Sequence, residues 1–546
     1  MKASKKTIKL NLGCGMDHRN GYINIDAVSA VNPDLVHDIS KTLPYKDGTV
    51  QEVIAQDILE HFIFDDFIFV ISEIARVLKD GGTLHVRTPN VDAILHQFED
   101  DKEVRNIFLY GSTAHRTDTG VFGAHKIGFT RTRLIAELLV YGLEVTSIGT
   151  NETNFEASFV KSTPLKAESI LFLNQALSIG GAEVFDTDLF SSLKQQGVRV
   201  AAYTNNTIFA HMLHFSEIST LSVPWVVDFI GNVKGLIKAL VYGPLLFFWY
   251  GKTVYAHRSV DVMVVSGFTE KILASFWAYV FDIPMVWIEF GPLTTVLNKC
   301  MQLPKLLYRL VADLPERVIV PSQNTAADLL RSARISLAKI EYIPCGTSQQ
   351  SSKKFSDVAQ PVIVCPSRLE KGKGQDILLE AFAQVLKDIP KAHLQIIGVG
   401  DFITELEALV TKLGIQKSVS FLGRVRDVDE YLQKAQLVVF PSVWELEGFG
   451  LVTIEAMALA KPVVAFNRGP TNEIVVDGET GVLAEPGDSG ALAEAIVKVM
   501  HSSKLRMKLG TGGLKRFNDL YRIDLVAEQY QLAFRRAIAW HRAGKK

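Results

Sequence analysis

Two glutamates beside a glycine-rich turn are the residues best suited to chemistry in this chain. Glu447 and Glu455 lie eight positions apart in the stretch PSVWELEGFGLVTIE, and Gly-Phe-Gly follows the first of them directly. Two carboxylates in one loop suggest a general acid and a general base. Glycine amides before a helix would instead bind a phosphate. The stretch alone leaves both interpretations open.

The elements around this stretch place it at the edge of a sheet. An apolar strand from Leu437 to Phe440 precedes it, and helix-forming residues from Ile454 to Ala460 follow it. In an open parallel sheet, a loop from a strand to the next helix lies at the carboxyl end of the strands, where ligands bind. The pattern therefore predicts a ligand site beside a helix N-terminus.

Two cations occur in an equivalent position earlier in the chain. Arg368 and Lys373 lie five positions apart in SRLEKGKG, after an apolar strand and at the start of a predicted helix. Two cations with exposed glycine amides would neutralise a diphosphate and stabilise it as it leaves. A third such place is the Gly180-Gly181 loop, which either binds a phosphate at a helix start or is a tight turn without a ligand.

Length and composition limit the classes of protein that fit. A chain of 546 residues is too long for one core, and it predicts three domains of roughly 150 to 190 residues. The formal net charge of −1 argues against a partner that is a nucleic acid bound through bulk charge. Its four cysteines are scattered, which predicts neither a disulfide framework nor a zinc site and fits a reducing, cytoplasmic compartment.

Strand and helix patterns alternate along the whole chain, which predicts an α/β fold with parallel sheets. The polar stretch VKSTPLKAE and the Ser-rich stretch TSQQSSKKFS interrupt this rhythm. We therefore expect domains at residues 1–163, 164–355 and 356–546. The apolar segment from Leu236 to Tyr250 is too short to span a bilayer, which takes about 20 residues. It is either a buried helix or a membrane-surface or acceptor-binding element.

The last two domains resemble glycosyltransferase family 4. The resemblance rests on Arg-Leu-x-x-x-Lys-Gly from Arg368 and on the PS-x-x-E-x-EGFG run that ends at Glu455. It implies two Rossmann-like domains in the GT-B arrangement, with Arg368 and Lys373 on the donor diphosphate and Glu455 on the nucleotide ribose. The remaining donor-binding residues that it implies are Gly180, Gly181, Glu447, Gly448, Phe449, Gly450 and Leu451.

This resemblance implies a retaining glycosyltransferase without a bound metal, in which Glu447, Arg368 and Lys373 act in catalysis. The two cations would replace a metal in stabilising the departing nucleoside diphosphate. The glutamates then form one wall of a nucleotide-sugar site rather than an acid and base pair. One position departs from the family, since Glu289 stands on the acceptor side where histidine is frequent. Either Glu289 takes over the polar role or the acceptor is unusual.

The first domain resembles a small class I S-adenosylmethionine-dependent methyltransferase, of the kind associated with surface-polysaccharide pathways. The strings NLGCG, YINID, LPYKDGTVQEVIAQDILEH and ARVLKDGGTLHVRTPN carry the resemblance. It implies that Gly13 and Gly15 face the methionine part of the cofactor, that Asp26 binds the ribose and that Asp38 binds the adenine. Either His61 or Asp57 would remove the proton from the acceptor.

Together these patterns predict a bifunctional enzyme of glycan assembly. It would use S-adenosylmethionine and a nucleotide-diphosphate sugar, with a glycan or lipid-linked glycan as acceptor and no metal. The alternative is a glycosyltransferase whose first domain is a noncatalytic cofactor-binding or docking module. We expect the protein in the cytoplasm, with peripheral contact at the inner face of the cell membrane as an open alternative.

Overall fold

The structure is a computed structural model that describes residues 7–102, 104, 106, 109, 125–176, 179–226, 233–299, 302–333, 335–351, 354–445 and 447–545. The chain divides into two compact units. The first comprises Met1–Ala167 and Phe534–Lys546, and the second comprises Glu168–Ala533. The three predicted domain boundaries stay predictions.

The first unit contains one sheet of seven strands with helices packed against it. Its strands are β1 Ile8–Leu12, β2 Ile23–Asp26, β3 Leu35–Val36, β4 Val50–Gln56, β5 Leu78–Pro89, β6 Leu143–Asn151 and β7 Asn154–Lys161. Its helices are α1 Phe64–Val77, α2 Val91–Gln97 and α3 Arg131–Leu139, with 3-10 turns at Ser29–Val31 and Leu59–His61. The strand order is β3-β2-β1-β4-β5-β7-β6, and β7 runs antiparallel to both its neighbours.

The strand order reverses beside β1, whose neighbours are β2 and β4. Such a switch point opens a crevice at the carboxyl ends of the strands. Helix α1 has one apolar face, because Phe67, Val70, Ile71 and Ile74 recur with helical spacing. These residues are buried, so the helix packs with this face toward the core. The crevice at the end of β1 is therefore the expected ligand site of this unit.

The C-terminal residues Phe534–Lys546 group with the first unit, which the sequence pattern did not predict. The Arg536 guanidinium lies 5.4 Å from the centre of the Phe64 ring. Its Nε lies 3.6 Å from a carboxylate oxygen of Glu137, a buried residue of α3. A cation over a ring and beside a carboxylate explains why this segment packs on the unit.

The second unit contains two sheets. The strands of the first are β8 Ser169–Leu173, β9 Arg199–Thr204, β10 Ser219–Ser222, β11 Val262–Val265, β12 Met285–Ile288, β13 Arg317–Val320 and β14 Ile340–Tyr342, in the order β10-β9-β8-β11-β12-β13-β14. The strands of the second are β15 Val362–Pro366, β16 His393–Ile397, β17 Val419–Gly423, β18 Leu437–Phe440, β19 Val463–Phe466 and β20 Gly481–Ala484, in the order β17-β16-β15-β18-β19-β20. Every pairing in both sheets is parallel.

Helices connect these parallel strands, and three further helices follow the last strand. Those of the first sheet are α4 Gly181–Gln195, α5 Thr207–Phe215, α6 Val233–Ala256, α7 Phe268–Val280, α8 Leu293–Lys299, α9 Gln302–Val311 and α10 Gln323–Ser332, with a 3-10 turn at Leu337–Lys339. Those of the second are α11 Gln375–Asp388, α12 Ile403–Leu413, α13 Val428–Lys434, α14 Leu451–Ala458, α15 Thr471–Ile474, α16 Ser489–His501, α17 Ser503–Leu520 and α18 Ile523–Ala543, with a 3-10 turn at Gln416–Ser418. The last helix of the chain belongs to the second unit up to Ala533 and to the first unit from Phe534.

The central strands of both sheets are wholly buried, as β11, β12, β18 and β19 show. This burial explains their continuous apolar sequence, because helices cover both faces of a parallel sheet. The predicted α/β class is confirmed, with three sheets that are mainly parallel. The apolar segment from Leu236 to Tyr250 lies within α6, and within the described ranges no helix has the length and apolar character needed to cross a membrane.

Candidate functional site

Two glycines shape the backbone of the site in the second sheet of the second unit. Gly374 precedes α11 with φ 76°, and Gly450 precedes α14 with φ 104°. Both values are left-handed and favour glycine. A Cβ on Gly374 would lie 1.9 Å from the Pro441 carbonyl oxygen, so the loops after β15 and β18 touch through their backbones. Helix α14 begins at Leu451, earlier than the predicted Ile454, because Gly450 caps it.

The structure brings Lys373 and Glu447 together in this place. The Lys373 Nζ lies 2.7 Å from a Glu447 oxygen, and the Ser442 hydroxyl donates to the same oxygen at 2.7 Å. The two charged side chains are 8% and 17% exposed. Burial lowers the pKa of Lys373 from its ordinary value, although the Glu447 carboxylate opposes that shift. The ammonium is therefore fixed in position by a largely buried partner.

The indole of Trp444 lies beside both cations. The Lys373 Nζ is 4.0 Å from the centre of its ring, and the Arg368 guanidinium is 5.1 Å from it. Arg368 also forms an ion pair with Glu370 at 2.8 Å. Both cations thus lie against the same aromatic ring. The sequence motif assigns no role to Trp444, and the only signal for it is an aromatic residue inside the motif.

Loops of the first sheet in this unit lie directly against the loop that follows β18. A Cβ on Gly448 would lie 1.4 Å from the Phe290 carbonyl oxygen, and one on Gly181 would lie 3.3 Å from a Leu451 methyl carbon. The glycines leave no side chain between these backbones. The predicted glycine loop and the predicted donor loop are therefore neighbours.

The glycine loop is held by a local hydrogen bond. The Gly180 amide donates to the Glu183 carboxylate at 2.8 Å, at the start of α4. Burial raises the pKa of Glu183, and the charge of Arg368 opposes this shift. Glu183 of α4 therefore lies close enough to Arg368 for their charges to interact.

Glu455 lies in surroundings unlike those of Glu447. Burial raises its pKa to about 7, and the carboxylates of Asp429 and Asp188 add to the shift. Asp188, on α4, accepts hydrogen bonds from the Ser348 amide at 2.7 Å and the Ser348 hydroxyl at 2.8 Å. The sequence does not predict this effect of Asp188 and Asp429, because both are far from Glu455 along the chain.

Glu289 is a buried, paired carboxylate. The Lys271 Nζ donates to its Oε2 at 2.7 Å, and the Tyr308 hydroxyl donates to the same oxygen at 3.1 Å. Its neighbour in the chain is Phe290, whose carbonyl faces Gly448. Glu289 therefore fixes the segment that meets the donor loop.

In the first unit, three predicted cofactor residues meet at the ends of β1 and β2. The Gly15 amide donates to Asp26 Oδ2 at 2.9 Å, and the Val28 amide donates to Asp26 Oδ1 at 2.9 Å. Gly13 and Gly15 have φ values of 61° and 47°, which favour glycine. A Cβ on Gly13 would lie 2.6 Å from an Ile58 side-chain carbon. The loop therefore passes close to the end of β4.

Asp38 follows β3, and the Ser40 amide and hydroxyl donate to its Oδ1 at 2.9 and 2.7 Å. Burial alone would raise the pKa of Asp38, but these hydrogen bonds hold it below its ordinary value. The side chain is therefore an ionised acceptor at neutral pH.

The two candidate bases follow β4. Asp57 has φ 51°, and Arg87 Nε donates to it at 2.9 Å. His61 ends the 3-10 turn, next to Glu60, which is 1% exposed. Burial raises the pKa of Glu60 to about 8, and the Thr88 hydroxyl donates to it at 3.1 Å.

Family models match two segments of the chain. Residues 347–516 match Glycosyl transferases group 1, and residues 13–86 match a Methyltransferase domain. The GDP-mannose-dependent monoacylated alpha-(1-6)-phosphatidylinositol monomannoside mannosyltransferase of Corynebacterium glutamicum is 34% identical over 182 residues, 32% of this chain and 47% of that protein. The N-acetyl-alpha-D-glucosaminyl L-malate synthase of Bacillus anthracis is 28% identical over 176 residues, 32% of this chain and 45% of that protein. The chain therefore spans less than half the length of these curated relatives.

Solved structures share the fold over a longer range. Anabaena HepE, solved with UDP and glucose, is 23% identical with a TM-score of 0.56, covering 66% of this chain and 98% of that chain. A glycosyltransferase from Rickettsia africae is 20% identical with a TM-score of 0.54, covering 68% and 98%. These likenesses show the GT-B fold. The predicted resemblance is therefore confirmed, since residues 347–516 match the group 1 glycosyl transferases and residues 13–86 match a methyltransferase domain.

Proposed function

We propose that the second unit is a retaining glycosyltransferase that moves a sugar from a nucleotide-diphosphate sugar to a glycan or lipid-linked acceptor. The observation that carries the proposal is the pair of cations, Arg368 and Lys373, held around Trp444 beside the glycine-capped start of α14. The likeness of residues 347–516 to group 1 glycosyl transferases supports it.

Two fixed cations suit the departure of a nucleoside diphosphate. Negative charge grows on the diphosphate as the bond to the sugar breaks, and cations that are already in place stabilise that charge without rearranging. The Glu447 carboxylate, 2.7 Å from the Lys373 Nζ, holds the ammonium in place. We assign the diphosphate to these cations, with no metal at this site.

The two glutamates suit different parts of the donor. Glu447 is paired with Lys373, whereas Glu455 has a pKa raised to about 7 by burial and by other carboxylates. A double displacement would need a nucleophile and an acid about 5 Å apart across the scissile bond. Their separate partners favour Glu447 near the sugar and Glu455 at the ribose. We place Glu289 on the acceptor side, where it positions the Phe290 segment.

The acceptor side carries an exposed apolar surface. We call the exposed large hydrophobic side chains of α6 and α7 the apolar face, and they are Leu240, Val241, Tyr242, Leu245, Phe248, Tyr255, Phe276, Tyr279 and Val280. Phe248 and Tyr279 are 66% and 70% exposed. Such a surface fits a lipid-linked acceptor and peripheral contact with the inner face of the cell membrane.

The donor is identified by a screen of nucleotide sugars against the full chain. The true donor should raise the melting temperature, by an amount that grows with the logarithm of its concentration divided by its dissociation constant. NMR of the transferred sugar should then show an unchanged anomeric configuration. Stabilisation by no nucleotide sugar, or an inverted product, would refute the assignment.

We further propose that the first unit is an S-adenosylmethionine-dependent methyltransferase acting on the same glycan pathway. Asp26 would bind the ribose and Asp38 the adenine, because both are acceptors at the ends of neighbouring strands. Gly13 and Gly15 would let the backbone approach the methionine part. The match of residues 13–86 supports this assignment.

A second candidate is a noncatalytic first unit, and the contacts of Asp57 and Glu60 favour it. Arg87 holds Asp57, and the Glu60 carbonyl accepts from the amides of Lys126 and Ile127. Asp57 and Glu60 therefore stabilise the local structure whether or not methyl transfer occurs. Calorimetry with S-adenosylmethionine, followed by mass spectrometry of the acceptor, separates the candidates. Binding with a methyl gain supports the enzyme, and binding without one supports the module.

A further inference from the structure

Three side chains with metal-binding atoms converge at the end of β4. Glu60, His61 and His125 each offer one ligand atom, and these atoms all lie within 4.8 Å of one another. Glu60 is buried and the two histidines are partly buried. The two imidazole rings lie 5.2 Å apart between centres and are tilted by 59°.

Backbone contacts explain why these distant residues meet. His61 ends the 3-10 turn Leu59–His61 after β4. The amides of Lys126 and Ile127 donate to the Glu60 carbonyl at 2.7 and 3.2 Å, which brings the preceding residue, His125, to the turn. The Thr88 hydroxyl, from β5, donates to Glu60 Oε2 at 3.1 Å and orients the carboxylate. Separate parts of the chain thus position all three groups.

Two imidazoles and one carboxylate are a donor set that proteins use for divalent transition metals. Ligand atoms lie about 2.0 to 2.2 Å from such an ion, and so about 3 to 3.5 Å from one another. A separation of at most 4.8 Å leaves only small side-chain movements to be made. The buried carboxylate would also gain a cation as partner, which favours binding.

We propose that Glu60, His61 and His125 bind one divalent transition-metal ion, of the Mn²⁺ to Zn²⁺ series. This differs from the expectation of no metal, which rested on the glycosyltransferase resemblance and on the scattered cysteines. With three protein ligands, the ion would keep open positions for oxygen ligands. A sugar hydroxyl could occupy one, where the ion would favour its deprotonation. That last role rests on the proposed methyltransferase function, whereas the binding of the ion does not.

Calorimetry of the chelator-treated full chain with Mn²⁺ and with Zn²⁺ tests the site, and electron paramagnetic resonance reports the Mn²⁺ ligands. We expect one ion per chain. Loss of a residue that only supports a metal ligand weakens metal affinity by about 10- to 100-fold. His125→Ala removes a proposed ligand and should weaken metal affinity by more than this. His96→Ala, which removes an exposed histidine of α2, should not change it. No binding by the wild type, or equal binding by His125→Ala, would overturn the proposal.

A second variant covers a failure of His125→Ala to fold. Glu60→Gln keeps an oxygen that accepts from Thr88 but removes the carboxylate charge, and it should also weaken metal binding. If it binds the ion as the wild type does, the proposal is wrong. Metal binding without methyl transfer would contradict the methyltransferase function and leave the metal site standing. Methyl transfer that is undiminished by chelation would contradict only the role of the ion at the acceptor.

Discussion

At the proposed donor site, the pKa of a charged side chain depends on its burial and on the charged groups next to it. The buried Lys373 ammonium is paired with Glu447. Burial and the carboxylates of Asp429 and Asp188 raise the pKa of Glu455. A motif in the sequence identifies the residue types of Lys373 and Glu455. The pKa of Glu455 depends on its burial and on Asp429 and Asp188, which only the folded chain brings near.

The raised pKa of Glu455 predicts a pH dependence of nucleotide binding. Its pKa is about 7, so the side chain is largely protonated at pH 6 and ionised at pH 8. Ribose hydroxyls donate best to the ionised form, so the affinity for UDP should fall by up to about tenfold from pH 8 to pH 6. Calorimetry of the wild type and of Glu455→Gln measures this.

The variant should bind UDP more weakly and lack this part of the pH dependence. Titration of the UDP phosphate is common to both proteins and cancels in the comparison. An identical pH profile in both would show that Glu455 does not contact the nucleotide as its carboxylate.

At the scale of elements, strands and helices were predicted from sequence because apolar strands and glycine-capped helices are local patterns. The motif loops after β15 and β18 were placed correctly for the same reason. The packing of Gly448 against Phe290 was not predicted, because the two lie in different sheets and no local pattern links them. The position of Trp444 beside Arg368 and Lys373 was not predicted, because an aromatic residue in a loop can be buried, exposed or part of a site.

The close approach at Gly448 predicts a strong effect of one methyl group. Its backbone does not need a left-handed φ, but a Cβ would lie 1.4 Å from the Phe290 carbonyl oxygen. Gly448→Ala should therefore push the donor loop away from the facing sheet and lower the sugar-transfer rate by about 100-fold. Steady-state kinetics with the identified donor measures this loss.

Gly490→Ala is the matched control. A Cβ there would lie 3.2 Å from the side chain of Asp488, at the start of α16 and outside the proposed site. Its transfer rate should equal that of the wild type. A normal rate in Gly448→Ala would mean that the contact with Phe290 does not matter for transfer.

At the scale of the whole molecule, the chain divides into two compact units, and we propose a separate chemistry for each. The α/β class and both family resemblances could be predicted, because their motifs are contiguous in sequence. The grouping of Phe534–Lys546 with the first unit could not, because it depends on contacts such as that of Arg536 with Phe64. The proximity of His61 and His125 could not be predicted either, because it depends on contacts between distant parts of the chain.

The most direct test of the central claim is calorimetry of UDP and GDP with the wild type, Lys373→Ala and Lys371→Ala. Lys371 is an exposed cation of the same loop and serves as the control. Loss of a charged contact to phosphate should weaken nucleotide binding by about 10- to 100-fold in Lys373→Ala only. S-adenosylmethionine binding should be equal in all three proteins. Wild-type nucleotide affinity in a folded Lys373→Ala variant would contradict the account.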